Sequence, residues 1–138
     1  MTTDRRQTVL ADAPTFSSFA VDDVAKARDF YSDTLGLRVT EVPDMGPLLT
    51  LHLAGGHDVM LYEKSDFSPA TYTVLNFEVD DIDATVDHLA GRGVAFERYD
   101  GFEQDDKGIA RDPVGPAIAW FTDPAGNILA VLEGGGRT

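Results

Sequence analysis

The chain has 138 residues, no cysteine, and 24 acidic against 11 basic residues, for a formal charge of −13. Its length suits one domain of ordinary size, and the missing thiols exclude disulfides, thiolate nucleophiles and cysteine metal sites. So negative a field repels nucleic acid and anionic membrane surfaces and attracts cations; it suits solubility or a salt-adapted host as well as a site for a cationic small molecule, and composition alone does not separate the two.

In chain order, residues 1–14 read as a tail or as an arm lying on a partner. Arg5 and Arg6 do not open an export signal, because Asp12 and Pro14 interrupt the stretch after them and it holds no apolar run, which leaves the cytoplasm as the expected compartment. Residues 15–21 alternate, with Ser17, Phe19 and Val21 on one face and Phe16, Ser18 and Ala20 on the other, the period of a strand. Asp22 or Asp23 then caps a helix in which Val24, Ala27, Tyr31 and Leu35 recur at helical spacing, until Gly36 supplies a left-handed stop. Residues 37–42 extend again, Pro43 and Pro47 break the chain, and strands over 48–53 and 59–63 flank a glycine-bearing turn at 54–58.

The same order then returns. Phe19, Val21, Asp22, Asp23 and Val24 reappear 58 positions later as Phe77, Val79, Asp80, Asp81 and Ile82. This spacing predicts a strand over 73–79 and a helix from Ile82 through Val86 and Leu89 to the glycines at 91–93. A segment at 94–98 comes next, then strands over 117–122 and 128–132 around a turn at 123–127. Gly56 and Glu63 correspond to Gly126 and Glu133 at an offset of 70, so the second copy carries 12 extra residues. They fall in 99–116, a stretch with Asp100, Glu103, Asp105, Asp106 and Asp112 beside Gly101, Gly108 and Gly115 that reads as a lid, a binding loop or mobile surface. An internal repeat of this length means two copies of one supersecondary unit, with a cleft as the natural ligand site.

Two tandem β-α-β-β-β units, 15–63 and 73–133, within one domain spanning 1–138, resemble the vicinal oxygen chelate superfamily, which contains glyoxalase I, bleomycin resistance proteins and extradiol dioxygenases. The resemblance rests on Phe19-Ala20-Val21-Asp22-Asp23 leading into Phe30-Tyr31 and Leu35-Gly36-Leu37, and on Phe121-Thr122-Asp123-Pro124-Ala125-Gly126-Asn127 before the last strand. It implies an α+β fold whose two units form a curved mixed sheet around a cleft, and a homodimer. It leaves the reaction open, because one fold serves many functions.

The resemblance also implies where a divalent metal would sit in the metal-dependent members. The first-strand ligand lies seven residues before the helix-opening aspartate, which is Phe16 here and Val74 in the second copy. The acid of the last strand lies three residues past the asparagine of the turn, which is Ala130 here, with Met60 as its counterpart. None of the four is a hard oxygen or nitrogen donor, so no metal and no cofactor is expected. His52 and His57, in or beside the first hairpin, are the alternative ligands; His57 reads as a solvated turn residue, and His88 as a surface position on the second helix.

If Phe16 and Val74 face the cleft, strand alternation brings Ser18, Asn76 and Glu78 with them. Met60 brings Tyr62, and Ala130 brings Ile128 and Leu132. The expected ligand-binding set is therefore Phe16, Ser18, Met60, Tyr62, Val74, Asn76, Trp120, Ala130 and Leu132, although each residue singly would serve as well in a core. The expected function is that of a metal-independent small-molecule-binding protein resembling bleomycin resistance proteins. In it Trp120, Phe16 and Tyr62 would stack on the ligand and acids of the 99–116 loop would meet its charge. The alternative is a glyoxalase-like lyase or isomerase, or a dioxygenase, using a displaced metal site or Glu78 as general base. A third is a module whose open sheet is covered by another chain. No Gly-x-Ser-x-Gly elbow and no glycine-rich phosphate loop occurs.

Overall fold

Each unit begins with a strand and an aspartate that turns it into a helix. In the computed structural model, which describes residues 9–42, 44, 46–111 and 115–134, the first unit runs β1 (Ser17–Val21), α1 (Val24–Asp29), a π-helical turn (Phe30–Thr34), β2 (Arg38–Glu41), β3 (Leu48–Leu53) and β4 (His57–Glu63). The second runs β5 (Thr73–Val79), α2 (Ile82–Gly91), β6 (Ile118–Thr122) and β7 (Ile128–Glu133). Hydrogen bonding divides the strands into two mixed sheets, one in the order β1-β4-β3-β2 and one in the order β5-β7-β6. In both, the first strand of the unit lies parallel to the last, β1 on β4 and β5 on β7, which is the repeat restated in three dimensions.

The repeat extends to how the helices start. The Asp23 side chain accepts from the Lys26 amide at 3.1 Å, and Asp81 accepts from the Ala84 amide at 3.0 Å. Glu63 and Glu133, at the ends of β4 and β7, accept from the first amides of the two helices, Val24 at 3.0 Å and Ile82 at 3.2 Å. Two of the donors that every helix N-terminus leaves open are thus satisfied in each copy, by carboxylates that also suit the positive end of the dipole. These glutamates recur at an offset of 70 because they are caps. Asp81→Ala is expected to cost about 1 kcal/mol in thermal unfolding, the usual worth of an N-cap.

Two expected elements differ. The first helix does not run as one α-helix to Leu35: it widens into the π-turn, where the Leu35 amide reaches back to the Phe30 carbonyl at 2.9 Å. Gly36, at φ +73°, makes the left-handed stop. The segment 94–98 pairs only through Phe96, as a single bridge to Phe121. The inserted loop takes the edge that a longer strand would need, since Ala110 and Ile118 exchange backbone hydrogen bonds at 2.8 and 3.0 Å.

One core is shared by both units. Val21, Tyr31, Leu49, Leu51 and Leu61 of the first belong to the same buried cluster as Ile82, Val86, Phe121, Leu129 and Val131 of the second. The edge of Phe30 meets Tyr31 at 5.2 Å between ring centres, and Phe30 also lies 6.4 Å from Phe121. A buried polar chain crosses the same junction. The Tyr31 hydroxyl donates to Asp123 Oδ2 at 2.7 Å, and Asp123 Oδ1 accepts from the Asn127 amide at 2.9 Å. Asn127 Nδ2 donates in turn to the Ala20 carbonyl at 2.8 Å. Burial pushes the Asp123 carboxyl above the ordinary aspartate value against these hydrogen bonds, and pushes the Tyr31 phenol well above 10.0, with the Asp123 charge adding to it. A second link comes from Arg92, at the end of α2, which donates to the carbonyls of Thr34, at 2.8 Å, and Asp33.

Candidate functional site: the open face of the four-stranded sheet

In β1, Phe19 and Val21 point to the helices and the shared core, so Ser18 and Ala20 face the other way. The strand register then lays out that open face as rows. Arg38, His52 and Asp58 form one; Thr40, Thr50, Met60 and Ser18 form the next; Leu48, Tyr62 and Ala20 form the third. Phe16, just before β1, continues the first row beside Asp58. These side chains and the segment leading into β1 enclose a hollow of about 700 Å³, lined by Phe16, Val42, Thr50, Gly56, Asp58 and Met60, with Pro14 and Thr15 at its edge.

The hollow has apolar walls and one carboxylate. Phe16 is 62% exposed, an unusual position for a phenylalanine, and has no ring partner among the described residues. Asp58 does not stand alone: its Oδ1 lies 3.2 Å from His52 Nδ1, and His52 Nε2 lies 2.9 Å from Thr40 Oγ1. A carboxylate accepts, so Nδ1 donates to Asp58, and in a neutral ring Nε2 is left to accept from the threonine hydroxyl. The two contacts fix the orientation of the His52 ring. The arrangement can hold a cation against Asp58, give hydrogen bonds from Thr50, and stack or pack an apolar group on Phe16 and Met60.

The expected site residues divide between two places. Phe16 and Met60 meet in the hollow; Ser18 and Tyr62 share its face without lining it. Asn76, Ala130 and Trp120 lie in register across the other sheet, with Glu78 and Leu132 one step along. Val74 departs from the alternation. The register shifts between Thr73 and Leu75, and Val74 packs against the main core, where it cannot line the cleft as strand parity predicts. Glu78 is exposed on β5, without the apolar enclosure expected of a tuned base. His57 opens β4 as an exposed residue opposite Leu53, and His88 is exposed on α2.

Trp120 is 9% exposed because the 99–116 insertion covers it. Tyr99 lies edge-on to it at 5.4 Å between ring centres and Phe102 lies against it at 4.9 Å, leaving Phe102 as the exposed ring of the three. The stacking surface expected of Trp120 is therefore already occupied by the chain's own side chains. The loop is tied down at several points between Tyr99 and Arg111. Gln104 accepts from the Tyr99 amide and donates to the carbonyls of Glu97 and Gly108. Asp105 accepts from the amides of Lys107 and Ile109, and Lys107 and Arg111 reach Asp83 on α2. The Asp105 carboxyl is held below the ordinary value by these amides and Arg111, against the cost of burial. Asp112, also expected in this loop, lies outside the described residues, as do residues 1–8 of the expected arm.

The residues present do not fit the metal centre implied for the metal-dependent relatives. Phe16, Met60, Val74 and Ala130 supply no hard donor, and among the described residues no three histidine or acidic side chains are grouped to hold an ion. Sequence reasoning missed Thr50, Asp58 and the Thr40–His52–Asp58 chain. Asp58 was within reach, being two positions from Met60 on one strand; Thr40 and Thr50 depended on a register that the sequence does not print.

Fold, repeat and open sheet face define a protein built on paired β-α-β-β-β units. The model of the Glyoxalase/Bleomycin resistance protein/Dioxygenase superfamily matches residues 14–131, and the chain belongs to that superfamily. Among solved structures it is similar to a member of the same superfamily from Sphaerobacter thermophilus (27% identity, TM-score 0.67, covering 88% of this chain and 98% of that one). It is also similar to TnmS3, an antibiotic binding protein from Streptomyces sp. CB03234 (26%, 0.64, 88% and 97%). The fold is shared too with a lactoylglutathione lyase from Agrobacterium tumefaciens (24%, 0.60, 89% and 94%). No curated protein matches the sequence significantly. No helix among the described residues is long and apolar enough to cross a membrane.

Proposed function

We propose that this chain is a small-molecule-binding protein of the antibiotic-binding kind, one domain of two tandem units, 15–63 and 73–133, acting as a cytoplasmic homodimer without a metal. The observation that carries the reading is the hollow on the open sheet face, where Phe16 and Met60 wall a single oriented carboxylate, Asp58. Apolar walls with a few placed polar groups are what small-molecule sites require. A carboxylate in a chain of charge −13 favours a cationic ligand, and the exposed Phe16 ring favours one with an aromatic part. The likeness to an antibiotic binding protein at 26% identity supports the same reading. Residues of the second sheet, Asn76, Ala130 and Leu132, complete the site in this proposal if a second copy brings them over the hollow.

The test is calorimetric titration of the full chain with bleomycin and with a panel of cationic and neutral aromatic antibiotics, since Trp120 lies off the hollow and is a poor reporter. Saturable binding of a cationic member is expected, weakened about tenfold by Asp58→Asn, which is roughly 1.4 kcal/mol for one lost charge contact. Binding that ignores this substitution, or a stoichiometric divalent metal in the purified protein, would overturn the reading.

A second reading rests on the Thr40–His52–Asp58 chain. An imidazole held by a carboxylate, with Nε2 on the Thr40 hydroxyl, is placed to take a proton through that hydroxyl, which would make the protein a lyase or isomerase of the glyoxalase kind. His52→Gln that spares ligand affinity but removes turnover of a hydroxy-carbonyl substrate would favour it.

A further inference from the structure

A second cavity, of about 340 Å³, lies between the two units on the helix side of the three-stranded sheet, and shares no lining residue with the hollow. Its walls are Leu37 from the first unit and Phe77, Val79 and Phe121 from the second; Thr85 and His88, on α2, are the polar side chains that line it. We propose that this cleft is a separate binding site for a small, neutral, mostly apolar molecule carrying one hydroxyl.

The cleft stays open because the units are spaced by polar contacts. Arg92 to Thr34, Tyr31 to Asp123 and Asn127 to Ala20 each fix a donor–acceptor distance between 2.7 and 2.8 Å, and a directional hydrogen bond does not shorten to let facing apolar walls close. An apolar cleft kept open in this way suits an apolar guest, whose binding takes the Leu37, Phe77 and Phe121 walls out of water. Its volume is near the lower end of small-molecule pockets, roughly 300–1,000 Å³.

The charge of the guest is set by what the lining lacks. It has no acid, lysine or arginine, so a cation finds no counter-charge there, while the field of a chain at −13 opposes an anion. One polar group can be accommodated. The Thr85 hydroxyl donates to the Asp81 carbonyl at 2.9 Å, which leaves its lone pairs to accept, and the His88 ring has no hydrogen-bond partner among the described residues. A guest hydroxyl at the Thr85 and His88 side therefore pairs without stranding a buried donor.

Fluorescence titration of the full chain with naphthylmethanol tests the site, with methylnaphthalene as the probe lacking the hydroxyl. Saturable one-to-one binding of naphthylmethanol is expected, weakened about tenfold by Leu37→Trp, which fills the cleft, and equally by Ala84→Phe, an exposed position at its mouth that leaves the core untouched. His88→Leu should weaken naphthylmethanol and leave methylnaphthalene unchanged. Thr50→Trp, which occupies the hollow on the other sheet, should change neither. Absence of saturable binding, indifference to Ala84→Phe in a folded variant, or loss of binding in Thr50→Trp would overturn the proposal. The last of these results would leave the proposed function standing.

Discussion

Asn127→Ala is expected to lower the unfolding midpoint by on the order of 10 °C, a loss of about 2–4 kcal/mol for orphaned buried polar groups. Asn127 is 2% exposed and works in three directions. Its side chain donates to the Ala20 carbonyl across the unit boundary and to Asp123 Oδ2 at 3.3 Å, and accepts from the Ala70 amide at 3.4 Å. Alanine would take a partner from the part-buried Ala20 carbonyl and from the buried Asp123 carboxylate, and such networks fail by more than the sum of their bonds. The turn itself should persist, because the Asn127 amide still reaches Asp123 and Gly126 keeps its φ of +96°.

The same network sets the sign of a pH dependence. Asp123 and Tyr31 both have folded pKa values above their unfolded ones, so the folded state holds both protons longer. The stability each contributes is complete below its unfolded pKa and is lost as pH rises through the folded one. For Asp123 that decline begins near pH 4, and for Tyr31 near pH 10, from the ordinary values of about 3.9 and 10. Tyr31→Phe should flatten the alkaline limb in a denaturant series across pH, and Asp123→Asn the acid one. A Tyr31→Phe variant that keeps the alkaline decline would show that another group drives it.

Much of this architecture is legible in the sequence because it is periodic. Alternation in β1 and β5, aspartate caps at both helices and the glycines after them are local signals, and local signals are copied twice. The hydrophobic stripe through Tyr31 is equally plain, but the role of its hydroxyl is not: nothing near it in sequence says that its partner is Asp123, 92 positions away. The segment 94–98 carries no sign that Ala110 takes the edge of β6. Val74 is misplaced by a bulge, since one extra residue reverses parity and parity is the whole ground for placing it. Single-strand alternation names the residues on the open face but not their cross-strand neighbours. Asp58, Thr50 and the His52 contacts need the register of three strands at once.

Thr50→Trp is expected to weaken binding of a cationic aromatic ligand by about 100-fold, roughly 2.7 kcal/mol, while leaving the midpoint of unfolding nearly unchanged. Thr50 lies on β3 directly opposite Met60 on one side and Thr40 on the other, half-buried at the floor of the hollow. An indole there would take the volume between Phe16 and Met60, whereas the opposite face of β3, with Leu49 and Leu51 fully buried, would be undisturbed. Strands also tolerate tryptophan well where one face is open. The contrast with Asp58→Asn is informative: that substitution removes charge and keeps shape, this one keeps charge and removes space. A ligand held mainly by Asp58 at the rim would lose about tenfold in the first and little in the second. A ligand seated in the hollow must lose more in the second, and calorimetry on the two variants side by side distinguishes these cases.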